Sequence, residues 1–401
     1  MTTPKKLLIY KIAIFIFAFI VAFMPTTVSR SREVNSRVIV EILGLDGGDE
    51  INVTAQYVMP TGEQGATSKD TVTVGGATLE EAVETLSTAL GRRAELGHCS
   101  MVIVGNDAGP ELLGTLMTAT DVTADVYLAA AEDKAEELVG QITDFMKKTG
   151  ATDADFIAYG AKKSHVATNT LLGFLCDIGS ASHSSFMPVV SMIESEKNKS
   201  DSSQNGGEGG GKSKDGAGGG SSEKSGGGDN GGSSGGSGMN VEKLALYSPQ
   251  GRCGILDKNA ARGVAWVSSP IEKGILTADV NVDGDNIKDV SARLLKKHVD
   301  ITTDAKNNAA KIKIRAIIEP RGDKFNRLDA KNSAAASMAI KDGFSQAVKS
   351  ELRAAYDSAA LCDCDPLFIG REFYRYAPDY FENGYNAKTV DVTFDVEIVI
   401  K

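Results

Sequence analysis

Apolar positions along the chain fall into three regimes: one unbroken run near the start, two stretches of alternating or helical periodicity, and a nearly apolar-free tract between them. Ile12–Met24 holds no polar side chain, and Leu7–Tyr10 extends the run upstream around Lys11. As a helix, Leu7–Met24 spans about 27 Å at about 1.5 Å per residue, close to a hydrocarbon core of about 30 Å. Lys5 and Lys6 precede it and the stub has no acid, which keeps the stub cytoplasmic and exports the chain that follows. Lys11 lies one turn inside and can snorkel. Residues 1–32 therefore read as a stub plus a signal anchor or signal peptide. Thr27-Val28-Ser29 offers the small residues a signal peptidase needs, so both fates stay open.

After this segment the periodicity turns mixed. Val38–Leu45 and Ile51–Met59 read as strands joined by a turn at Gly47-Gly48-Asp49. Thr78–Leu90 reads as a helix, with a capping box at Thr78 and Glu81 and one apolar face of Leu79, Ala82, Val83, Leu86, Ala89 and Leu90. Met101–Val104 and Val122–Ala129 are expected as short strands. Glu132–Lys147 is expected as a second amphipathic helix, with Ala135, Leu138, Val139, Ile142 and Phe145 inward.

The later stretch opens with expected strands at Val241–Tyr247, Gly263–Val267 and Gly274–Val282. Lys311–Ile318 alternates cations with isoleucine, a half-buried strand. Asn332–Tyr356 reads as a long helix with Ala335, Met338, Phe344, Val348, Leu352 and Ala355 near one side. Thr389–Ile400, where Val390, Val392, Phe394, Val396, Ile398 and Ile400 alternate with mostly polar neighbours, is the clearest strand.

Ser200–Gly238 holds 17 of the chain's 43 glycines amid Ser, Asp, Glu, Lys and Asn, too little apolar surface to offset its ordering entropy. It is expected to be a disordered tether with a root-mean-square span of about 35 Å. The predicted fold class is α+β: two exported mixed α/β domains at 33–198 and 240–401, the second with room for a subdivision, joined by the Gly/Ser-rich linker 199–239.

Composition narrows the function. The formal charge of −10 and pI near 5.1 argue against nucleic acid and against adhesion to anionic lipid, so membrane attachment rests on the N-terminal segment. Cys99, Cys176, Cys253, Cys362 and Cys364 are odd in number and irregular in spacing, which is not a disulfide framework. Pairing of Cys253 with Cys362 or Cys364 stays open. Cys362-Asp363-Cys364 has one residue between the thiols where a zinc half-site has two, and no second pair follows.

Other matches dissolve on inspection. The stretch from Gly206 to Gly211-Lys212-Ser213 satisfies the P-loop pattern, but polar glycine-rich sequence flanks it where a strand and a helix are needed. His98-Cys99 enters a strand, so the two side chains point to opposite faces and cannot share a proton; a packing histidine beside a buried thiol is expected. No paired-histidine zinc motif occurs. No enzyme activity, cofactor or metal is expected. Phe373, Tyr374, Arg375, Tyr376, Tyr380 and Phe381 concentrate the aromatic content of the second half. They read either as core packing or as a partner-docking surface, since Tyr and Arg are favoured at interface hot spots.

The order of these landmarks resembles the GerAC (Ger(x)C) family, the C subunits of spore germinant receptors in endospore-forming bacteria. The residues that carry it in the first half are Arg32-Glu33-Val34-Asn35, Val38–Asp46, Ile51–Pro60, Gly91-Arg92-Arg93, Gly97-His98 and Met101–Gly105. In the second half they are Leu244–Leu256, Arg262-Gly263-Val264-Ala265-Trp266, Asp365, Gly370, Phe373-Tyr374 and Pro378. Three features depart from the family. No cysteine precedes Cys99 to serve as a lipobox, Tyr380-Phe381 stands where a tryptophan is usual, and the glycine tether is long.

The resemblance implies a non-enzymatic subunit at the inner spore membrane, its soluble domains on the extracytoplasmic face. It would dock to or scaffold a polytopic A-type subunit and a permease-like B-type subunit, and Gly97, His98, Asp365, Gly370 and Pro378 would be structural. The alternative is a secreted or membrane-tethered solute-binding protein, which requires a sizeable pocket between domains. A cortex hydrolase ranks third, for want of paired carboxylates or a metal constellation.

Overall fold

The computed structural model describes residues 37–60, 67–149, 159–160, 166–193, 238–268, 274–282, 284–324 and 334–401. The expected membrane segment, most of the expected linker and the Gly206–Ser213 pattern lie outside them. Among the described residues no helix is long and apolar enough to cross a membrane. The fold is mixed α and β and is built on two sheets.

The first sheet has a parallel centre and antiparallel flanks. β1 (Arg37–Asp46), β2 (Ile51–Pro60) and β3 (Thr67–Gly76) form an antiparallel meander. β1 pairs in parallel with β5 (Met101–Val104), β5 with β6 (Tyr127–Ala131), and β6 with β8 (Ser185–Ile193). β9 (Gly238–Ser248) and β10 (Gly251–Leu256) complete the other flank, while short β4 (Arg93–Glu95) lies beside β1 and β7 (Asn169–Thr170) beside β6.

Period-two alternation sorts the side chains of this sheet between its faces. Leu43, Leu45, Val102, Val104, Leu128 and Ala130 join a cluster with residues of α1 (Leu79–Ala89), α2 (Pro110–Ala119) and α4 (Leu171–Ile178). Ile42, Met101, Ile103, Ala129 and Ala131 join the opposite cluster, with Leu138, Val139 and Ile142 of α3 (Ala135–Thr149). The helix starts are fixed by named acceptors. Thr78 Oγ1 accepts from Glu81 N at 3.2 Å, and the Glu81 carboxylate accepts from Ala77 N at 2.8 Å. At α3 the buried Asp46 carboxylate, delivered by the end of β1, accepts from Ala135 N and Glu136 N at 2.8 and 3.0 Å. That remote cap is why the helix begins at Ala135 rather than at the expected Glu132.

The second sheet runs β11 (Ile275–Val282), β12 (Asp285–Asp304), β13 (Ala309–Arg321) and β14 (Asp391–Ile400), antiparallel except for the parallel β13–β14 pair. A parallel neighbour needs a crossover, and α6 (Ala334–Leu361) lies within it. Its buried stripe of Ala336, Ile340, Phe344, Val348, Leu352, Ala355 and Ala359 recurs every three or four residues. One buried cluster runs from Ile42 and Val139 through Trp266 to Ile314 and Phe344, so the halves of the chain share a core.

The strand order departs from the expected domain boundary. β9 lies beyond the glycine-rich tract, yet it pairs with β8 from Ser185↔Tyr247 to Ile193↔Gly238. Residues 238–256 thus belong to the first sheet, and the tract connects adjacent strands of that sheet.

Other expectations shift for local reasons. Gly263–Val267 is not a strand but part of α5 (Lys258–Ser268). Asp257 caps that helix, its carboxylate accepting from Ala260 N at 2.9 Å, and Ala260, Ala261, Val264 and Ala265 form its buried stripe. The strand expected over Val122–Ala129 begins only at Tyr127, with Val122 and Val126 buried in the preceding loop. Met338, expected inward on α6, is 66% exposed, and Phe145 on α3 is half-buried while Met146 takes the inner place. His98 is exposed rather than packed, with Cys99 buried beside it.

Candidate functional site

The aromatic segment forms two short helices, α7 (Ile369–Tyr376) and α8 (Pro378–Gly384), with Pro378 in the first turn of α8, where its missing N–H is not needed. One face of α7 is anchored. Phe373 is fully buried, with its ring 5.2 Å from Tyr380 and 5.4 Å from Tyr385. Tyr380 and Phe381 are half-buried against the core; the Tyr380 hydroxyl donates to Asn308 Oδ1, and Phe381 stacks on Tyr385 at 5.0 Å. The rest of the helix is exposed: Tyr374 is 53% exposed with its ring edge-on to Phe381, Tyr376 is 68% exposed, and the Arg375 guanidinium lies 5.9 Å from the Tyr376 ring and 3.7 Å from the Glu372 carboxylate. The expected docking set therefore divides into anchors (Phe373, Tyr380, Phe381) and a surface triplet (Tyr374, Arg375, Tyr376).

Asp365 explains how α7 is held. Phe368 precedes the helix at φ 58° and supplies no side-chain cap. The buried Asp365 carboxylate takes that role, accepting from Ile369 N at 3.0 Å and Gly370 N at 2.6 Å. It also accepts from the Ser182 hydroxyl at 2.9 Å, and Asp365 N donates to Ser184 Oγ at 2.8 Å. Arg371 N donates to Ser182 Oγ at 3.2 Å. These bonds tie α7 to the loop before β8, which joins the aromatic segment to the first sheet. Burial pushes the Asp365 carboxyl up to about 6, opposed by the N–H donors of Gly370 and Ile369. Gly370 leaves room for Tyr385, since a Cβ there would stand 3.0 Å from its ring.

The Arg262–Trp266 motif on α5 does comparable work against α6. Trp266 Nε1 donates to Glu351 Oε2 at 2.7 Å, and Arg262 Nη1 of the guanidinium lies 3.6 Å from Glu351 Oε1. Between them Gly263 packs backbone on backbone: a Cβ there would meet Glu351 O at 2.1 Å and Ala355 Cβ at 2.6 Å. Lys297, from β12, closes the other end of α5 by donating to Ala265 O at 2.7 Å and to Trp266 O. Burial pushes that ammonium down to about 7. A chain of polar contacts thus crosses both helices and the second sheet.

The remaining sequence candidates are scattered. Gly97 and His98 lie in the turn before β5, far in sequence from the aromatic helices. Cys99 donates from Sγ to Met101 O at 3.0 Å, and burial pushes its thiol up to about 12. Among the described residues no group of three or more His, Cys, Asp or Glu is placed to hold a metal ion. The clefts among them include two open ones. One of 460 Å³ is lined by Gly47, Thr78, Asp107, Gly109 and Gln250 among others, on the rim of the first sheet. One of 580 Å³ lies between β11 and α6 beside Met338. Neither includes any residue of 365–385.

Sequence reasoning missed Ser182, Ser184, Glu351 and Lys297. Ser182 and Ser184 sit more than 180 residues from their partner Asp365, and no local pattern marks a serine as a remote cap. Glu351 offers one usable signal, as a carboxylate on a long helix adjoining Leu352 and Val348 of the buried stripe.

Residues 30–192 match the family described as spore germination protein N-terminal domain. Residues 245–401 match the family described as spore germination B3/GerAC like, C-terminal. No curated protein matches the chain in sequence. A solved structure titled "Crystal Structure of the GerBC protein" is similar over 89% of this chain and 96% of its own, at 12% identity and a TM-score of 0.43. The two family matches run in order and cover most of the first sheet, the whole second sheet, Asp365, Gly370 and the aromatic helices, and the chain belongs to the GerAC family of spore germination proteins.

Proposed function

We propose that this protein is a C-type subunit of a nutrient germinant receptor, acting by protein contact rather than by transforming a substrate. The observation that carries the reading is the pair of consecutive family matches over both halves. The N-terminal apolar segment tethers it to the inner spore membrane, with its folded part on the extracytoplasmic face. Its partners are the polytopic A-type subunit and the permease-like B-type subunit, and the surface triplet Tyr374, Arg375 and Tyr376 is the docking face. An exposed Tyr–Arg–Tyr run on a helix anchored from below fits that role, because tyrosine and arginine are favoured at interface hot spots and the rigid tyrosine rings lose little freedom on binding.

The test uses spores whose only copy carries Tyr374→Ala, Arg375→Ala and Tyr376→Ala together. Nutrient-triggered germination and recovery of a tagged A-type subunit should both fall several-fold, while a receptor-independent trigger acts normally. Wild-type behaviour in both readouts rejects this face. A full nutrient response after deletion of the gene, with no paralogue present, rejects the subunit role itself.

A further inference from the structure

Three of the five cysteines converge where the two halves meet. Cys253 lies on β10 of the first sheet, and Cys362 and Cys364 lie just past the end of α6. Cys253 Sγ and Cys364 Sγ are 2.7 Å apart, and both residues carry free thiols. Cys362 Sγ reaches the Cys253 carbonyl oxygen at 3.4 Å and would stand 2.6 Å from a Cβ on Gly254. Asp363, between the two, adopts φ 57°, and the thiols on either side of it both meet β10. Cys364 is buried, while Cys253 and Cys362 are half-buried and open to small reagents.

We propose that Cys253 and Cys364 form a thiol–disulfide site, oxidised by a small-molecule disulfide to a bond that staples β10 to the segment following α6. The Cys253 thiolate attacks one sulfur of the reagent, breaking its S–S bond and releasing one thiolate, which takes up a proton. The Cys364 thiol then gives up its proton and attacks the Cys253 sulfur, forming the protein disulfide and expelling the second reagent thiol. Two protein thiols lose two electrons in total, and the reagent disulfide gains them as two thiols. Cys253 suits the first attack, because it is the more open of the pair and the hydrogen bond from Cys364 holds its thiol below the usual range. Cys364 directly precedes Asp365, so the staple closes the same junction that Asp365 latches to Ser182 and Ser184.

The experiment treats the full chain, purified under reducing conditions in mild detergent, with oxidised glutathione. Free thiols are counted after denaturation, and the protein is digested without reductant for peptide mass spectrometry. Two of the five thiols should disappear, a peptide joining Cys253 to Cys364 should form within one chain, and dithiothreitol should restore all five. Oxidation should also raise the melting temperature reversibly. Cys362→Ser should keep the linkage and Cys364→Ser should abolish it; the wild-type peptide map decides the matter if either variant misfolds. Five unchanged thiols, glutathione left attached to Cys253, or linkage only through Cys362 or between chains would overturn the assignment.

Discussion

Asp365 accepts four hydrogen bonds yet sits fully buried with no cation among those partners. Its folded value of about 6 stands above the ordinary aspartate value of about 3.9. The native state therefore holds the proton more tightly than the unfolded chain. Between those two values this group favours folding more at the acid end, and its contribution shrinks as pH rises. Urea titrations from pH 4 to pH 7 should show wild type losing about 2 kcal/mol relative to Asp365→Asn, somewhat less than the full gap at about 1.4 kcal/mol per unit because pH 4 already lies above the unfolded value. Parallel curves for the two proteins would contradict this. Gly263 makes the opposite kind of point, since its constraint is backbone. Gly263→Ala must drive α5 from α6 and should cost about 1–3 kcal/mol or more. Gly114→Ala on α2, where an added Cβ meets nothing within 4 Å, should stabilise by about 0.5–1 kcal/mol. Paired thermal melts check both. At this scale Asp365, Gly370 and Gly263 were legible as family landmarks, but their reasons were not, because Ser182, Tyr385 and Glu351 reach them from remote segments.

Elements were legible where one period persisted. β14 was read almost to the residue because six apolar positions alternate without interruption, and β5 because four apolar residues sit between turns. The five-residue window Gly263–Val267 could not reveal α5, whose evidence is spread from Asp257 to Ser268 and consists mainly of alanines. β12 is not legible in the sequence because its charged second half alternates only weakly and a register shift at Leu294–Lys296 breaks the pattern. In the sequence α7 is one aromatic run, and only its three-dimensional sorting separates anchor from surface. That sorting is measurable. Phe373→Ala should destabilise by about 3–5 kcal/mol through an unfilled cavity. The combined Tyr374, Arg375 and Tyr376 alanine variant should cost less, about 1–2 kcal/mol, through the Tyr374 contact with the Phe381 ring and the Arg375 pair with Glu372. Equal losses in chemical denaturation would mean the triplet is structural.

Across the whole molecule, pairing between distant strands was the least legible feature, because register between β8 and β9 leaves no trace in local periodicity. The shared cluster from Ile42 to Phe344 predicts that both halves melt in a single cooperative transition, with calorimetric and van't Hoff enthalpies in agreement. The glycine-rich tract, expected as a spacer between domains, instead begins and ends on partnered residues, Ile193 and Gly238. Replacing residues 194–237 with a four-residue turn should preserve the fold and add about 2 kcal/mol, from the logarithmic cost of closing a flexible loop. Loss of folding in that variant would show that the tract contributes contacts of its own. The same geometry makes this hairpin a port. A reporter or an affinity handle spliced between Ile193 and Gly238 would leave through one rim of the first sheet and re-enter beside its exit, so the molecule can be followed in a spore with both chain ends untouched.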